Sequence, residues 1–142
     1  MNRRTQTAIA RTHAWLYRST GGRIGRRLLG MEQVLLTTTG RSTGLPRTTP
    51  LSAFPLDRGS DGVVLVASDG GRDRDPQWYR NLSAHPEVVV QRGRRAFAMR
   101  ARTATPTERD RLWPGIVAVY GGYAHYQART RRRIPLVICE PR

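Results

Sequence analysis

The chain has 142 residues, a formal net charge of +15 and one cysteine, and all 25 of its basic residues are arginine. That length favours a single domain with one core. The lone Cys139 excludes an intrachain disulfide, and the lack of any 18-residue apolar run excludes a transmembrane helix. The charge favours an anionic partner, whether nucleic acid, anionic lipid or an acidic cofactor.

In chain order, 5–18 (TQTAIARTHAWLYR) reads as a helix with Ala8, Ile9, Thr12, Trp15 and Leu16 on one arc and Arg4, Arg11 and Arg18 beside it. Gly21-Gly22 ends it. Such a helix has two readings: packed on the domain edge with a solvated basic flank, or lying on an anionic membrane surface. Residues 1–30 are therefore taken as a basic amphipathic helix with a connector, and 31–142 as the folded domain. No apolar secretory stretch follows the early arginines, so a cytoplasmic location is expected, peripheral at the inner membrane face on the second reading.

Strands then dominate. Residues 33–39 and 46–56 form a hairpin across GRSTG, and the three prolines of the second strand point to an edge or a bulge. The apolar run 63–68 is a buried strand. A glycine loop follows, then a short helix over 76–85, with Asp75 as its expected N-cap and Pro76 at its first position. Residues 87–91 and 95–102 make a second hairpin. Residues 105–130 are helical in two pieces broken near Gly121-Gly122, and 134–140 close as a strand. Regular βαβ alternation is missing. The fold class is α+β, mainly antiparallel β, built as a small barrel or half-open sheet.

Most catalytic signatures are absent. His13, His85 and His125 have no metal-ligand spacing among themselves or with Cys139, and there is no Gly-x-Ser-x-Gly elbow and no Walker ending. An enzyme of this composition would rely on a cofactor for the hard chemistry. Three stretches remain as candidates. In the first hairpin, Gly40 and Gly44 let the backbone approach a ligand, and Arg41 and Arg47 can fork onto an anion. In 67–81, glycines follow the end of a buried strand, and a helix N-terminus opens near Trp78 and Tyr79. In YGGYAHY, Tyr120, Tyr123 and Tyr126 recur every three residues, which on a helix makes one stripe of phenols, each needing a partner.

Taken together, these stretches resemble the deazaflavin-dependent nitroreductase family, the small reductases that use coenzyme F420, and within it the F420H2-dependent quinone reductases. The resemblance rests on Thr38-Thr39-Gly40-Arg41 with Gly44 and Pro46-Arg47, on Ala67-Ser68, Gly70-Gly71, Pro76, Trp78-Tyr79 and Asn81-Leu82, and on the late tyrosines before Ile134-Pro135. It implies a split β-barrel of the flavin-reductase kind. It implies cofactor contacts at Arg41, Ser42, Thr43, Arg47, Thr48, Thr49, Pro50 and Leu51, at Val66, Ala67, Ser68 and Asp69, and at Gln77, Trp78, Tyr79, Arg80 and Asn81. Ser68, Tyr120, Tyr123 and Tyr126 would face the acceptor, a quinone or nitro-aromatic compound that receives a hydride from the reduced deazaflavin. Ser42 and Asp69 stand where family members often carry a basic residue, with Arg72 and Arg74 expected to compensate. A non-catalytic carrier of F420 or FMN is the nearest alternative, and a basic nucleic-acid-binding domain is a more distant one.

Overall fold

In the computed structural model, residues 27, 28 and 30–142 are described. The expected helix over 5–18, and the division placed at residue 30, fall outside or at the edge of that range. Strand β1 (Arg27–Leu28) pairs with the start of β2 (Met31–Thr39). There follow β3 (Pro46–Pro55), β4 (Val63–Val66), a 3-10 turn (Asp69–Gly71), α1 (Gln77–Ala84), β5 (Glu87–Arg92), β6 (Arg95–Thr103), α2 (Pro106–Val119), α3 (Gly122–Arg129) and β7 (Leu136–Pro141).

The strand order β2-β3-β4-β7-β6-β5 is antiparallel throughout and closes through β2–β5 pairing, at Leu35↔Gln91, Leu36↔Val90 and Thr37↔Val89. This is the expected barrel. Alternate residues point inward, as the two-residue period of a strand requires. Val34, Leu36, Val63, Leu65, Val88, Val90, Val137 and Cys139 fill the interior, and Leu82, Trp78 and Tyr79 of α1 close one mouth. The intervening residues of β4 and β7, Val64, Val66, Leu136 and Ile138, pack outward against Ile116 of α2 and Tyr123 of α3. Burial on both faces explains why β4 reads as an unbroken apolar run rather than an alternating one.

The prolines of β3 are accommodated as expected. β3 pairs with β2 from Pro46 to Ala53 but with β4 only at Ala53–Pro55. Along 46–52 its other edge has no strand neighbour among the described residues. A missing N–H at Pro46 or Pro50 breaks no ladder on that side, and the open edge leaves the barrel split there.

Helix α2 starts at a capping box. Thr105 Oγ1 accepts from the Glu108 N–H at 3.2 Å, and the Glu108 carboxylate accepts from the Thr105 N–H at 2.9 Å. Helix α1 starts differently from expectation. Pro76, not Asp75, occupies its N-cap position, and no side chain caps it. The Asp75 carboxylate is instead paired with Arg132 at 3.0 Å. No described helix is long and apolar enough to cross a membrane.

Candidate active site

The split edge of β3 opens into a cleft of about 840 Å³, within the range of small-molecule sites. Four segments distant in sequence form its walls. They are the β2–β3 turn, the free edge of β3 from Arg47 to Ser52, the end of β4 with Ser68 and Asp69, and the first turns of α1. Tyr123 closes one end.

The turn is tightly made. The Gly40 N–H donates to the Leu45 carbonyl at 2.8 Å, and the Gly44 N–H donates to the Gly40 carbonyl at 2.8 Å. A Cβ on Gly40 would sit 2.6 Å from Thr43 Oγ1, while Gly44 holds φ at +71°. Both glycines thus suit the turn itself, and Gly40 also lines the cleft. Gly71 has a similar duty. A Cβ there would lie 2.6 Å from the Tyr126 carbonyl oxygen, so Gly71 lets α3 pack against the loop.

Arg41 is fastened to α1. Its backbone N–H and Nη1 donate to Asn81 Oδ1 at 3.2 and 2.9 Å, and Nη2 donates to Gln77 Oε1 at 2.7 Å. Asn81 is 4% exposed and donates through Nδ2 to Thr38 Oγ1 at 3.3 Å. A buried amide must find partners, and here it buckles the hairpin to the helix. Arg41 brings its charge to the cleft, but both terminal nitrogens of its fork already serve this buckle. Arg47 is exposed on the β3 edge; its carbonyl accepts from Thr38 Oγ1 at 3.5 Å, and its guanidinium makes no hydrogen bond or ion pair among the described residues.

Most of the expected cofactor contacts line the cleft: Arg41, Ser42, Thr43, Arg47, Thr48, Thr49, Pro50, Leu51, Val66, Ser68, Asp69, Gln77, Trp78 and Asn81. Ala67, Tyr79 and Arg80 do not, and their expected placement is corrected. Ala67 is wholly buried. On α1, residues 77, 78 and 81 share the cleft face, and helical periodicity turns 79 and 80 elsewhere. The Tyr79 hydroxyl meets Thr103 Oγ1 at 2.8 Å, and Arg80 borders a separate hollow with Asp73, Arg74 and Asp75. Arg72 and Arg74 do not line the cleft.

The three tyrosines meet, but not as a stripe on one helix. Tyr120 ends α2, the chain turns at Gly121, and Tyr123 and Tyr126 belong to α3. Their ring centroids lie 5.1, 6.0 and 6.2 Å apart. Only Tyr123 reaches the cleft. Tyr120 and Tyr126 stand behind it with their hydroxyls 3.1 Å apart. Burial pushes the Tyr123 phenol up to about 12, against an opposing hydrogen bond with Ser52 and with a further rise from Tyr120 and Tyr126. It therefore stays a neutral donor throughout the ordinary pH range.

Two lining residues, Ser52 and Pro76, were not assigned to the site from sequence. Ser52 Oγ accepts from Gln33 Nε2 at 2.8 Å. The continuation of the run Arg47 to Leu51 was the available signal for it, because an open edge exposes consecutive residues. Arg132, which gathers the loop after β4, carried no signal at all within an Arg-Arg-Arg run.

The order and spacing of these segments match one family throughout. The sequence profile of the F420H(2)-dependent quinone reductases matches residues 9–141. The chain belongs to that family. An F420H(2)-dependent quinone reductase of Mycobacterium tuberculosis is 39% identical over 142 residues, covering 97% of this chain and 93% of the relative. The solved structure of an F420-H2 dependent reductase, FDR-A, superposes with a TM-score of 0.68 at 39% identity, covering 76% of this chain and 93% of that one. A solved domain-swapped dimer also gives a TM-score of 0.68, at 34% identity, covering 91% of this chain and 99% of that one. This F420H(2)-dependent quinone reductase family member thus shares its barrel with solved relatives.

Proposed function

We propose that this chain binds coenzyme F420 in the cleft and passes a hydride from its reduced form to a quinone. The observation that carries the reading is the convergence of the 40–45 turn, the free β3 edge, the β4 end and α1 on one cleft with Tyr123 at its end. The residues present fit the cofactor. Pro50, Leu51, Val66 and Trp78 offer apolar surface for a planar heterocycle, and Arg41 and Arg47 put positive charge beside it for an anionic tail. When bound, the reduced deazaflavin supplies the hydride.

The chain's own residues hold and polarise. Arg47, Ser42 and Thr43 take tail oxygens, with Arg41 adding charge from its fixed position. Ser68 and the neutral Tyr123 hydroxyl face the acceptor and donate hydrogen bonds to the oxygen on which negative charge grows. Tyr120 and Tyr126 keep Tyr123 in place by edge-to-face packing. A quinone that takes a hydride and one solvent proton leaves as the hydroquinone, so no side chain need act as a strict general acid. Nitro-aromatic compounds are a second acceptor class of the same electron demand.

Replacing Arg47 by Ala tests the tail assignment. Loss of a charge-assisted hydrogen bond worth roughly 1.5–3 kcal/mol should weaken F420 binding tenfold or more, read by quenching of cofactor fluorescence. Unchanged affinity would remove Arg47 from the site.

A further inference from the structure

Ser68 lines the cleft, on the acceptor side in the reading above, and it lies beyond the end of its strand. β4 ends at Val66, and the next turn is unusual: Asp69, Gly70 and Gly71 have φ of 44°, 66° and 83°. A non-glycine residue in left-handed space persists only where its surroundings over-determine it.

The Gly71 N–H donates to the Ser68 carbonyl at 2.8 Å and the Arg72 N–H to the Asp69 carbonyl at 3.3 Å, which closes the turn, and one side chain ties that turn down along its whole length. Arg132 follows α3, and its side chain is 14% exposed. Its Nε donates to the Arg72 carbonyl at 2.7 Å. Nη1 donates to the Ala67 carbonyl at 3.1 Å and to Asp75 Oδ1 at 3.0 Å, and Nη2 donates to the Ser68 carbonyl at 2.8 Å. Four of the five guanidinium N–H groups are used, and every acceptor belongs to the single loop between β4 and α1. Because a peptide unit is planar, fixing the Ala67 and Ser68 carbonyls fixes both peptide planes that flank Ser68. That sets the direction of its Cα–Cβ bond. Arg132 is itself held, since its carbonyl accepts from Gln127 Nε2 at 2.8 Å and its N–H donates to Thr130 Oγ1 at 3.3 Å. It does not line the cleft.

We infer that Arg132 is a positioning residue, which aims Ser68 and Asp69 along the acceptor side of the cleft without touching cofactor or acceptor. This rests on the reductase reading above. Lysine cannot replace it, because one ammonium cannot reach acceptors spread over residues 67 to 75 in a planar fork.

Three readouts on Arg132→Lys and Arg132→Gln test the inference: F420 affinity by fluorescence, kcat and acceptor KM with reduced F420 and menadione, and amide hydrogen exchange of residues 67–75 in the free protein. Misaiming Ser68 should lower kcat about tenfold to a hundredfold in both variants. F420 affinity should stay within about threefold, because the tail contacts lie on other segments. Exchange at 68–72 should quicken at least about tenfold. The Lys variant keeps the charge and carries the test if the Gln variant does not fold. A kcat within about twofold of wild type, unchanged exchange, or affinity falling as steeply as kcat would each overturn the inference. A wild type that neither binds nor oxidises the cofactor would overturn the reductase reading instead. The exchange measurement would still decide whether Arg132 holds this wall.

Discussion

Replacing Asn81 by Leu should release the hairpin turn from α1. The substitution conserves volume but removes an acceptor that takes two N–H groups of Arg41 and a donor that reaches Thr38. The Nη1 contact is charge-assisted and worth roughly 1.5–3 kcal/mol, and a neutral hydrogen bond contributes roughly 0.5–1.5 kcal/mol. Arg41 is only half-buried and regains water, so the net loss should be about 2–4 kcal/mol rather than the full sum. At this chain length that corresponds to a fall in Tm of about 7–13 °C. A double-mutant cycle with Arg41→Met isolates the contact. Denaturant unfolding of the four proteins should give a coupling energy of about 1.5–3 kcal/mol. F420 affinity should fall about tenfold in the Asn81 variant, since the turn would have to be ordered on binding. Additive effects, with coupling below about 0.5 kcal/mol, would refute the buckle.

Tyr123→Phe should reduce acceptor turnover about tenfold or more while leaving F420 affinity nearly unchanged, and equal rates for the two proteins would take the phenol out of the site. Asp69→Asn keeps a residue tolerant of left-handed backbone and removes the one carboxylate on the cleft wall, so F420 should bind about two- to fivefold more tightly. No gain in a fluorescence titration would mean that the field of this carboxylate does not reach the tail. The alkaline limit of stability should follow the buried acids. Burial raises the Cys139 thiol from 9.0 to about 12 and the Tyr123 phenol from 10.0 to about 12. Above those unfolded values the unfolded chain binds fewer protons than the native one, so stability falls as pH rises, until about 12. Cys139→Ala should move the onset of that fall from about pH 9 toward 10 in a pH series of thermal melts. An onset that does not move would deny the thiol this role.

Strand and helix placement was legible because the two periods are distinct in this chain. The run at 63–66 carried the mark of double-sided burial, and the Gly121-Gly122 break divided α2 from α3. The β3 prolines announced an open edge, which became the mouth of the cleft. What was not legible depended on contacts between segments far apart in sequence. Asp75 had the right residue type and position for an N-cap, but Arg132, 57 residues away, takes its carboxylate. Arg41 resembled a free anion fork until Asn81, 40 residues away, engaged it. The tyrosine spacing suggested one helical stripe, and a turn assembled the cluster instead. Tyr79 and Arg80 were assigned to the cleft by the resemblance, within the continuous stretch from Gln77 to Asn81, whereas the helical period faces them elsewhere.

The central claim is catalytic use of reduced coenzyme F420 in this cleft. The direct test mixes the purified protein with reduced F420 and menadione and follows the return of oxidised-cofactor absorbance against a protein-free control. The structure predicts protein-dependent oxidation that saturates in both components and is lost with a cofactor-site variant. Tight cofactor binding with no oxidation of menadione or a nitro-aromatic acceptor would contradict the reductase claim and leave a carrier in its place.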